Sequence, residues 1–328
     1  MIAMQVVAAG SWLGCNVTVS SEPETAGIAS VTGLAYGDDG ELFVSDFAGA
    51  VHVINRDGDV VRTIAIDDAR PTTIAVSDSA SAMAIGDETG AVHLLSLAGQ
   101  SIATTSPLEG AITALAVGIS VGVPSVAAAH AEGSISVYRF DTGAAVGGVL
   151  RGHDGSVSGV VFGPPGSAVE DSLYAVGEDG SLKTFAANAT SVSAVSSIVA
   201  SDSPLGAVAI NRVGTLLATA GDDAVVRLWT LPDLELTRQF SSISTVTVIA
   251  FSPAGDVLAT AGAGTIVRIF SVESGADEPL HVFGKHDHRV SAVAFDPDVD
   301  SSAIASGDVA GTVRRWNYLT GSTLAKTD

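Results

Sequence analysis

The sequence predicts an all-β fold built from a repeated unit. An apolar run, a tight turn that usually contains Gly, and a second alternating run ending in a large apolar residue occur seven times in the 328 residues. The copies end at positions 54, 95, 138, 185, 229, 270 and 316, so successive copies lie 41, 43, 47, 44, 41 and 46 residues apart. A period in the low forties is typical of a β-propeller, in which each period forms one four-stranded blade. We therefore expect residues 1–328 to form a single seven-bladed β-propeller domain.

Each copy supplies the second and third strands of a blade, and an apolar segment before it supplies the innermost strand. A further segment after several copies is expected to form the outermost strand. The predicted inner strands are residues 31–36, 72–76, 111–117, 157–162, 206–210, 245–251 and 290–295, and the predicted outer strands are 60–64, 101–105, 235–240 and 280–283. No segment shows a sustained helical period of about 3.6 residues, so no helical domain is expected.

The N-terminal segment offers a strand that could close the ring. Closure matters because an open ring would leave two unpaired sheet edges. Cys15–Ser20 alternates in polarity, and we expect it to form the outer strand of the blade that ends at Trp316. The longer segment Ala8–Val19 also resembles the repeat, although it has no inner strand of its own, so a partial eighth blade is the alternative.

The charge balance limits the classes of partner. The chain has 36 Asp and Glu against 15 Lys and Arg, a net charge of −21. Such a field repels nucleic acid and anionic lipid and favours basic protein partners, so we expect neither nucleic acid nor membrane as a partner. Cys15, the single cysteine, excludes an intrachain disulfide and a Cys-based zinc or redox motif. The N-terminus lacks the basic region of a signal peptide, so a cytoplasmic location is expected, with the nucleus as the alternative in a eukaryote.

Several segments share a further local pattern. They are RGHDGSVSGVVF (Arg151–Phe162) with GEDGSLKTF (Gly177–Phe185), GDDAVVRLW (Gly221–Trp229), and KHDHRVSAVAFDP (Lys285–Pro297) with GTVRRW (Gly311–Trp316). This pattern resembles the WD40 repeat family, more clearly in the second half of the chain than in the first. The resemblance implies that each blade is fastened by a His before the inner strand, a Ser or Thr on the second strand, an Asp in the turn and a Trp on the third strand. These four side chains would satisfy one another's buried polar groups.

No blade of this chain is expected to complete that set of four. In the copy ending at Phe185, His153 and Asp179 are present, but Ala175 replaces the hydroxyl residue and Phe185 replaces the Trp. The copy ending at Trp229 has Thr219, Asp223 and Trp229 but no His. The copy ending at Trp316 has His286, Ser306 and Trp316, but Ala310 replaces the Asp. The first three copies end in Ile54, Leu95 and Tyr138 instead of Trp. We therefore expect apolar packing, and not polar networks, to hold most blades together.

No pattern demands a catalytic, metal-binding or cofactor-binding role. Asp296, Asp298 and Asp300 have the spacing of a calcium loop, but Ser301 replaces the Gly and Gly307 replaces the Glu that such a loop needs. His286-Asp287-His288 is assigned to a blade and an exposed loop instead of a metal site. Walker A and G-x-S-x-G motifs are absent from the sequence. The chain is therefore not expected to be an enzyme, and the alternative is a lactonase- or quinoprotein-like hydrolase or oxidoreductase with a site in the central channel.

The expected function is a scaffold or adaptor for protein–protein interaction, as a subunit of a larger complex. In a propeller, the loops leading into the inner strands share one rim with the turns between second and third strands. The candidate binding residues on this rim are Phe47, Glu88, Asp154, Ser156, Glu178, Asp222, Asp287 and Arg289. This set is acidic with one aromatic side chain, which favours a basic peptide or loop of a partner. The alternative is that these are ordinary solvated turn residues.

Overall fold

The computed structural model describes residues 19–20, 27–66, 70–120, 122–188, 191–273 and 277–327. Within these ranges the chain forms seven antiparallel sheets, six with four strands and one with five. The only helical segment in them is the short 3-10 turn Asp78–Ala80. The predicted all-β, seven-bladed propeller is therefore confirmed.

Successive groups of four strands form blades 1 to 7, each running from an inner to an outer strand. In chain order the strands are β1 (Val19–Ser20); β2 (Val31–Tyr36), β3 (Leu42–Asp46), β4 (Ala50–Ile54) and β5 (Val60–Ala65) in blade 1; β6 (Pro71–Ser77), β7 (Ala82–Asp87), β8 (Val92–Ser96) and β9 (Ser101–Thr104) in blade 2; β10 (Ile112–Ser120), β11 (Val123–His130), β12 (Ser134–Arg139) and β13 (Leu150–Arg151) in blade 3; β14 (Val157–Phe162), β15 (Ser172–Gly177), β16 (Ser181–Asn188) and β17 (Ser191–Val199) in blade 4; β18 (Leu205–Ile210), β19 (Leu216–Gly221), β20 (Val225–Thr230) and β21 (Glu235–Ser241) in blade 5; β22 (Val246–Phe251), β23 (Val257–Gly262), β24 (Val267–Ser271) and β25 (His281–Phe283) in blade 6; and β26 (Val290–Phe295), β27 (Ala303–Asp308), β28 (Val313–Asn317) and β29 (Thr323–Thr327) in blade 7.

The hydrophobic core lies between the blades. Seven clusters of buried side chains each combine residues of two neighbouring blades. Because the inner strands are covered on both faces, they are apolar almost throughout, which explains the short Val- and Ala-rich runs of the sequence. One cluster joins Ile28 and Leu34 of blade 1 to Ala292 and Val313 of blade 7, so the ring is closed by packing.

Each inner strand begins with an irregularity in its pairing to the second strand. In six of the seven blades the residue skipped there has a hydroxyl group: Thr32, Thr72, Thr113, Ser158, Thr247 and Ser291. Thr113, Ser158 and Ser291 donate to the carbonyl of the first residue of the next blade's inner strand, and the bond from Ser291 Oγ to Val31 O measures 2.6 Å. These hydroxyls therefore tie neighbouring blades to one another.

The predicted closing strand is wrong. The outer strand of blade 7 is β29, which follows β28 directly in the chain. β1 instead adds a fifth strand to blade 1 by pairing antiparallel with β5, with Val19 opposite Ile64. A hairpin between consecutive segments closes a much shorter loop than the pairing of the two chain ends, so the local strand costs less conformational entropy. Residues 15–18 of the predicted strand, and nearly all of Ala8–Val19, lie outside the described residues.

A buried arginine joins the last blade to the first. Arg315 of β28 is 5% exposed. Its Nε donates to the Tyr36 hydroxyl at 3.1 Å, and its Nη1 donates to the carbonyls of Asn55 (3.3 Å) and Arg56. Burial raises the pKa of Tyr36 to about 12, although Arg315 opposes this, so the phenol stays protonated. Arg315 thus bonds blade 7 to blade 1, although no strand from the N-terminal segment pairs with blade 7 among the described residues.

The predicted inner strands agree with the structure to within three residues at each end. The sequence pattern does not indicate the outer strands β13, β17 and β29. β13 has only two residues, and β17 reads SVSAVSSIV, in which serine obscures the alternation of apolar and polar positions.

Candidate interaction face

Backbone hydrogen bonds place two sets of loops at the same end of each blade. The residue after the second strand donates to the carbonyl just before the inner strand: Phe47 N to Ser30 O at 2.9 Å, Glu178 N to Ser156 O at 3.0 Å, Asp222 N to Pro204 O at 3.0 Å and Val309 N to Arg289 O at 3.1 Å. The loops leading into the inner strands and the turns between second and third strands therefore share one face of the ring. We call it the upper face, and we call the opposite end, with the turns between third and outer strands, the lower face.

All eight predicted binding residues lie in upper-face loops, but they do not form one cluster. Asp154, Glu178, Asp222, Asp287 and Arg289 are exposed, whereas Phe47, Glu88 and Ser156 are half-buried. In blade 4 the carboxylate of Glu178 accepts from Ser156 N at 3.2 Å, and Asp154 lies in the same loop as Ser156. In blade 7, Asp287 and Arg289 share the loop before β26.

The predicted aromatic contact residue is covered by a cation. The guanidinium carbon of Arg70 lies 5.2 Å from the centre of the Phe47 ring. A cation over an aromatic face is a stabilising contact, so Phe47 is engaged within the chain. This contact joins the turn of blade 1 to the loop that leads into blade 2, and sequence spacing alone does not indicate it.

Three further exposed carboxylates on this face were not predicted. They belong to Glu109 and Glu132 of blade 3 and to Asp202 of blade 5. Their position in the repeat could have identified them, because Glu109 and Asp202 precede inner strands and Glu132 lies in a turn between second and third strands. Lys183 and Arg227, the cations just below this region, already pair with carboxylates of their own blades at 3.1 Å and 2.7 Å.

Contrary to the prediction from sequence, blade 7 contains the complete hydrogen-bonded set of His, Ser, Asp and Trp, which we call a polar lock. Trp316 Nε1 donates to Ser306 Oγ at 2.8 Å, Ser306 Oγ lies 2.7 Å from His286 Nε2, and His286 Nδ1 lies 2.8 Å from Asp308 Oδ2. The carboxylate comes from Asp308, at the end of the second strand, instead of position 310 in the turn. Burial lowers the pKa of His286 and outweighs Asp308, which raises it. A neutral imidazole can donate from Nδ1 to Asp308 and accept at Nε2 from Ser306.

Blade 4 has an incomplete lock, as predicted. His153 Nδ1 lies 3.0 Å from Asp179 Oδ1, but His153 Nε2 is buried and has no hydrogen-bond partner. The register explains the difference from blade 7: Ala175 lies opposite Val160 as Ser306 lies opposite Val293. Ala175 supplies no hydroxyl, and Phe185 supplies no N–H in place of the Trp.

Blade 5 replaces the histidine with a serine. Ser201 Oγ donates to Asp223 Oδ2 at 3.0 Å, and Arg227 Nη2 pairs with the same oxygen at 2.7 Å. Trp229 Nε1 donates to Thr219 Oγ1 at 3.0 Å. The blade therefore satisfies its carboxylate and its hydroxyl in two separate contacts.

Blades 1 and 2 contain polar networks that the sequence analysis missed. His52 Nε2 lies 3.0 Å from Asp46 Oδ2, and His93 Nε2 lies 2.9 Å from Asp87 Oδ2. In these blades the histidine comes from the third strand and not from the loop before the inner strand. Burial raises the pKa of Asp46, but the hydrogen bonds from His52 and the backbone outweigh it and lower the pKa. The expectation that apolar packing alone holds most blades is wrong, because polar networks accompany it in at least five.

The acidic turn of blade 7 is a structural turn. Asp296 is 2% exposed, and its carboxylate accepts from Asp298 N at 3.2 Å and Ser301 Oγ at 3.0 Å. Within the ranges that the structure describes, no three His, Cys, Asp or Glu side chains form a group that could hold a metal ion. The described part of the chain also includes no helix with the length and apolar composition that a membrane span requires.

The fold is a seven-bladed propeller in which blades 1, 2, 4, 5 and 7 contain buried polar contacts, and the full set of His, Asp, Ser and Trp is present in blade 7. The family model for the WD domain, G-beta repeat, matches residues 181–230, 235–271 and 277–317. Together with the seven-bladed architecture, this match supports a WD40-repeat propeller family for the chain. WD40 propellers commonly bind protein partners and are typically non-enzymatic.

A curated relative matches a shorter stretch. Over 80 residues the chain is 36% identical to autophagy-related protein 18 of Phaeosphaeria nodorum. The stretch covers 24% of this chain and 19% of that protein, so the match spans about a fifth of the relative's length.

Proposed function

We propose that this protein is a non-enzymatic WD40 scaffold that binds a partner protein through a basic peptide or loop on its upper face. The observation that carries the proposal is a run of seven carboxylates across consecutive blades. We call it the acidic arc: Glu88, Glu109, Glu132, Asp154, Glu178, Asp202 and Asp222, in loops of blades 2 to 5. Six of these residues are exposed and Glu88 is half-buried.

The acidic arc has more carboxylates than cations in its own loops. Lys183 and Arg227 are already bonded to Asp179 and Asp223 below it, and the described cations in or beside its loops are the half-buried Arg70, before the inner strand of blade 2, and the exposed Arg151, at the end of β13. A patch of one charge on a rigid surface raises the local concentration of oppositely charged segments and accelerates their association. The chain's net charge of −21 adds a long-range attraction in the same direction.

The test compares two variants that differ only in where charge is reversed. Glu178→Lys with Asp222→Lys changes the acidic arc, and Asp57→Lys with Asp233→Lys changes exposed turns of the lower face. Each pair replaces two negative charges with two positive ones, so both variants change the net charge from −21 to −17. Any difference between them therefore reports location and not total charge.

The partner is first recovered by affinity capture with the wild-type protein and then measured against all three proteins. The proposal predicts that the upper-face variant binds at least tenfold more weakly and that the lower-face variant binds within about twofold of wild type. If both variants bound the partner equally more weakly than the wild type, the effect would come from net charge and not from the acidic arc. If neither variant bound more weakly, the acidic arc would have no role in binding.

A further inference from the structure

Blade 6 repeats the polar arrangement of blade 5 but lacks its carboxylate. In blade 5 the Asp223 carboxylate lies between two donors, the hydroxyl of Ser201 at 3.0 Å and the guanidinium of Arg227 at 2.7 Å. Aligning the two copies, TAGDDAVVRLW and TAGAGTIVRIF, places Gly264 at the position of Asp223. Both donors are kept in blade 6 while the acceptor is lost.

The strand register confirms this alignment. Arg268 lies opposite Thr260 in blade 6 as Arg227 lies opposite Thr219 in blade 5. The inner strands correspond as well, and Ser242 precedes β22 by the same four positions as Ser201 precedes β18. Ser242 and Arg268 are thus the counterparts of the two groups that hold the Asp223 carboxylate.

Arg268 is buried without an acceptor. The residue is 8% exposed, and no hydrogen bond or ion pair to its guanidinium is found among the described residues. Burial lowers its pKa, and no neighbouring carboxylate opposes the effect. The guanidinium nitrogens of Arg268 are not among the fully enclosed, unpaired atoms of the described residues, so an acceptor from outside the chain can reach them.

The space that the missing side chain leaves is open and reaches the upper face. A Cβ at Gly264 would meet only Ser244 Oγ at 3.6 Å and Ile266 N at 4.0 Å, which are ordinary contact distances. Gly264 does not have a positive φ, so the backbone accepts an L-amino acid there. Beside this space, Ile243 is 85% exposed and Ala263 is also exposed.

We propose that Ser242 and Arg268 form a binding site for a carboxylate group, which an Asp or Glu side chain of the partner protein supplies. A carboxylate is favoured because the Asp223 carboxylate occupies the equivalent position in blade 5, where one guanidinium and one hydroxyl donate to it. The inference rests on the proposed function and refines it: the basic segment of the partner carries one acidic residue that anchors it at blade 6. Asp222 in the neighbouring turn disfavours a free anion, so the carboxylate enters as part of a segment that the acidic arc attracts. The exposed Ile243 offers an apolar contact beside the anchor.

The first test fills the site from within the chain. Gly264→Asp places a carboxylate where Asp223 lies in blade 5, and Gly264→Asn is its uncharged control. We expect Gly264→Asp to raise Tm by about 2 °C or more relative to Gly264→Asn at pH 7, and the gain to vanish when both are made in an Arg268→Met background. A lower Tm for Asp than for Asn, or a gain that persists without Arg268, would overturn the proposal.

The second test uses a small carboxylate as probe on the full chain. Sodium acetate and sodium chloride are compared at equal ionic strength, and Tm is followed for wild type, Gly264→Asp and Arg268→Met. General effects of the salt on stability act on all three proteins alike. We expect acetate to raise the Tm of the wild type more than that of either variant. An equal shift in all three, or a larger Arg268-dependent shift with inorganic phosphate, would overturn the assignment to a carboxylate.

These tests need no partner, so their outcome is separable from that of the proposed function. If the acidic arc proves unimportant while the acetate and Gly264→Asp results hold, the scaffold mechanism fails and the carboxylate site stands. With the recovered partner, Gly264→Asp is expected to speed dissociation at least tenfold, because the internal carboxylate occupies the site. Reversal of the acidic arc acts instead on association. Unchanged dissociation from the Gly264→Asp variant would contradict the anchor.

Discussion

Arg315 of β28 adds hydrogen bonds from a buried guanidinium to the apolar packing that joins blade 7 to blade 1. The decisive substitution is Arg315→Met, which keeps most of the aliphatic stem and removes the guanidinium. It eliminates the bonds to Tyr36 OH (3.1 Å) and to the carbonyls of Asn55 (3.3 Å) and Arg56, all in blade 1. It also removes the cation nearest to the buried carboxylate of Asp296, 3.9 Å away.

The expected loss follows from the burial of these groups. Arg315 is 5% exposed and Asp296 is 2% exposed. Hydrogen bonds from a charged donor contribute about 1.5–3 kcal/mol each, and loss of one partner of a buried charge pair costs about 3–5 kcal/mol. These terms overlap, since the Asp296 carboxylate keeps bonds from Asp298 N and Ser301 Oγ. We therefore expect Arg315→Met to lower the free energy of unfolding by about 3–5 kcal/mol.

Urea unfolding measures this loss, and Arg314→Met on the same strand is the control. The Arg314 guanidinium lies 6.0 Å from the Trp316 ring and is half-buried, so its removal should cost about 1 kcal/mol or less. Amide exchange should accelerate in β2 and β28 of the Arg315 variant before it does in blades 3 and 4. If Arg315→Met lowers the free energy of unfolding no more than Arg314→Met does, the contact between blades 7 and 1 does not depend on the Arg315 guanidinium, and the prediction is refuted.

Three further outcomes are expected. Ala175→Ser should raise the free energy of unfolding by about 1 kcal/mol, because a hydroxyl there can bond the unpaired Nε2 of His153; a loss of stability in urea unfolding would show that the site cannot take the oxygen. Burial lowers the pKa of His130 to about 4, so between about pH 6.5 and 4 the unfolded state binds a proton that the folded state does not. The free energy of unfolding should therefore fall by about 3 kcal/mol as the pH drops through this window. If the His130→Gln variant lost as much stability over the same window as the wild type, the prediction would be contradicted. Deletion of residues 322–328 should lower Tm by more than 10 °C since it removes β29, whereas deletion of residues 1–20 should leave most of the stability; the reverse ranking would restore N-terminal closure.

The blades could be predicted from the sequence because their signal is local. Each inner strand is an apolar run bounded by turn residues, and the seven copies reinforce one another. The closing strand could not be predicted in this way. Alternation marks residues 15–20 as strand-forming and does not mark residues 323–327, yet 323–327 forms the closing strand, because it has the shorter loop to close.

The polar locks show a different limit of sequence reasoning. The carboxylate of blade 7 comes from Asp308, two residues before the position where the repeat pattern places it. His52 and His93 lie on third strands, each six residues after its partner Asp46 or Asp87. This shared spacing was present in the sequence, but only the sheet register shows that both side chains lie on one face of the blade.

Repeat position predicts which loops share the upper face, as the backbone bonds between them show, but it does not predict the contacts that the side chains make there. Repeat position identifies which residues lie in its loops, since every blade presents the same two segments there. It does not show that Arg70 covers Phe47, nor that Arg227 pairs with Asp223, the carboxylate that Gly264 replaces beside Arg268. Both facts depend on contacts between neighbouring segments that the spacing of single copies does not encode.

The most direct test of the account is the association rate of the recovered partner as a function of ionic strength. Exposed charges are screened beyond about 8–10 Å near physiological salt, so attraction by the acidic arc must weaken as salt rises. We predict that the rate for the wild type, and for the lower-face variant with Asp57→Lys and Asp233→Lys, falls at least tenfold between about 20 and 500 mM salt. The rate for the variant with Glu178→Lys and Asp222→Lys should start lower and change little. Identical salt dependence in all three proteins would contradict the claim that the acidic arc recruits a basic partner.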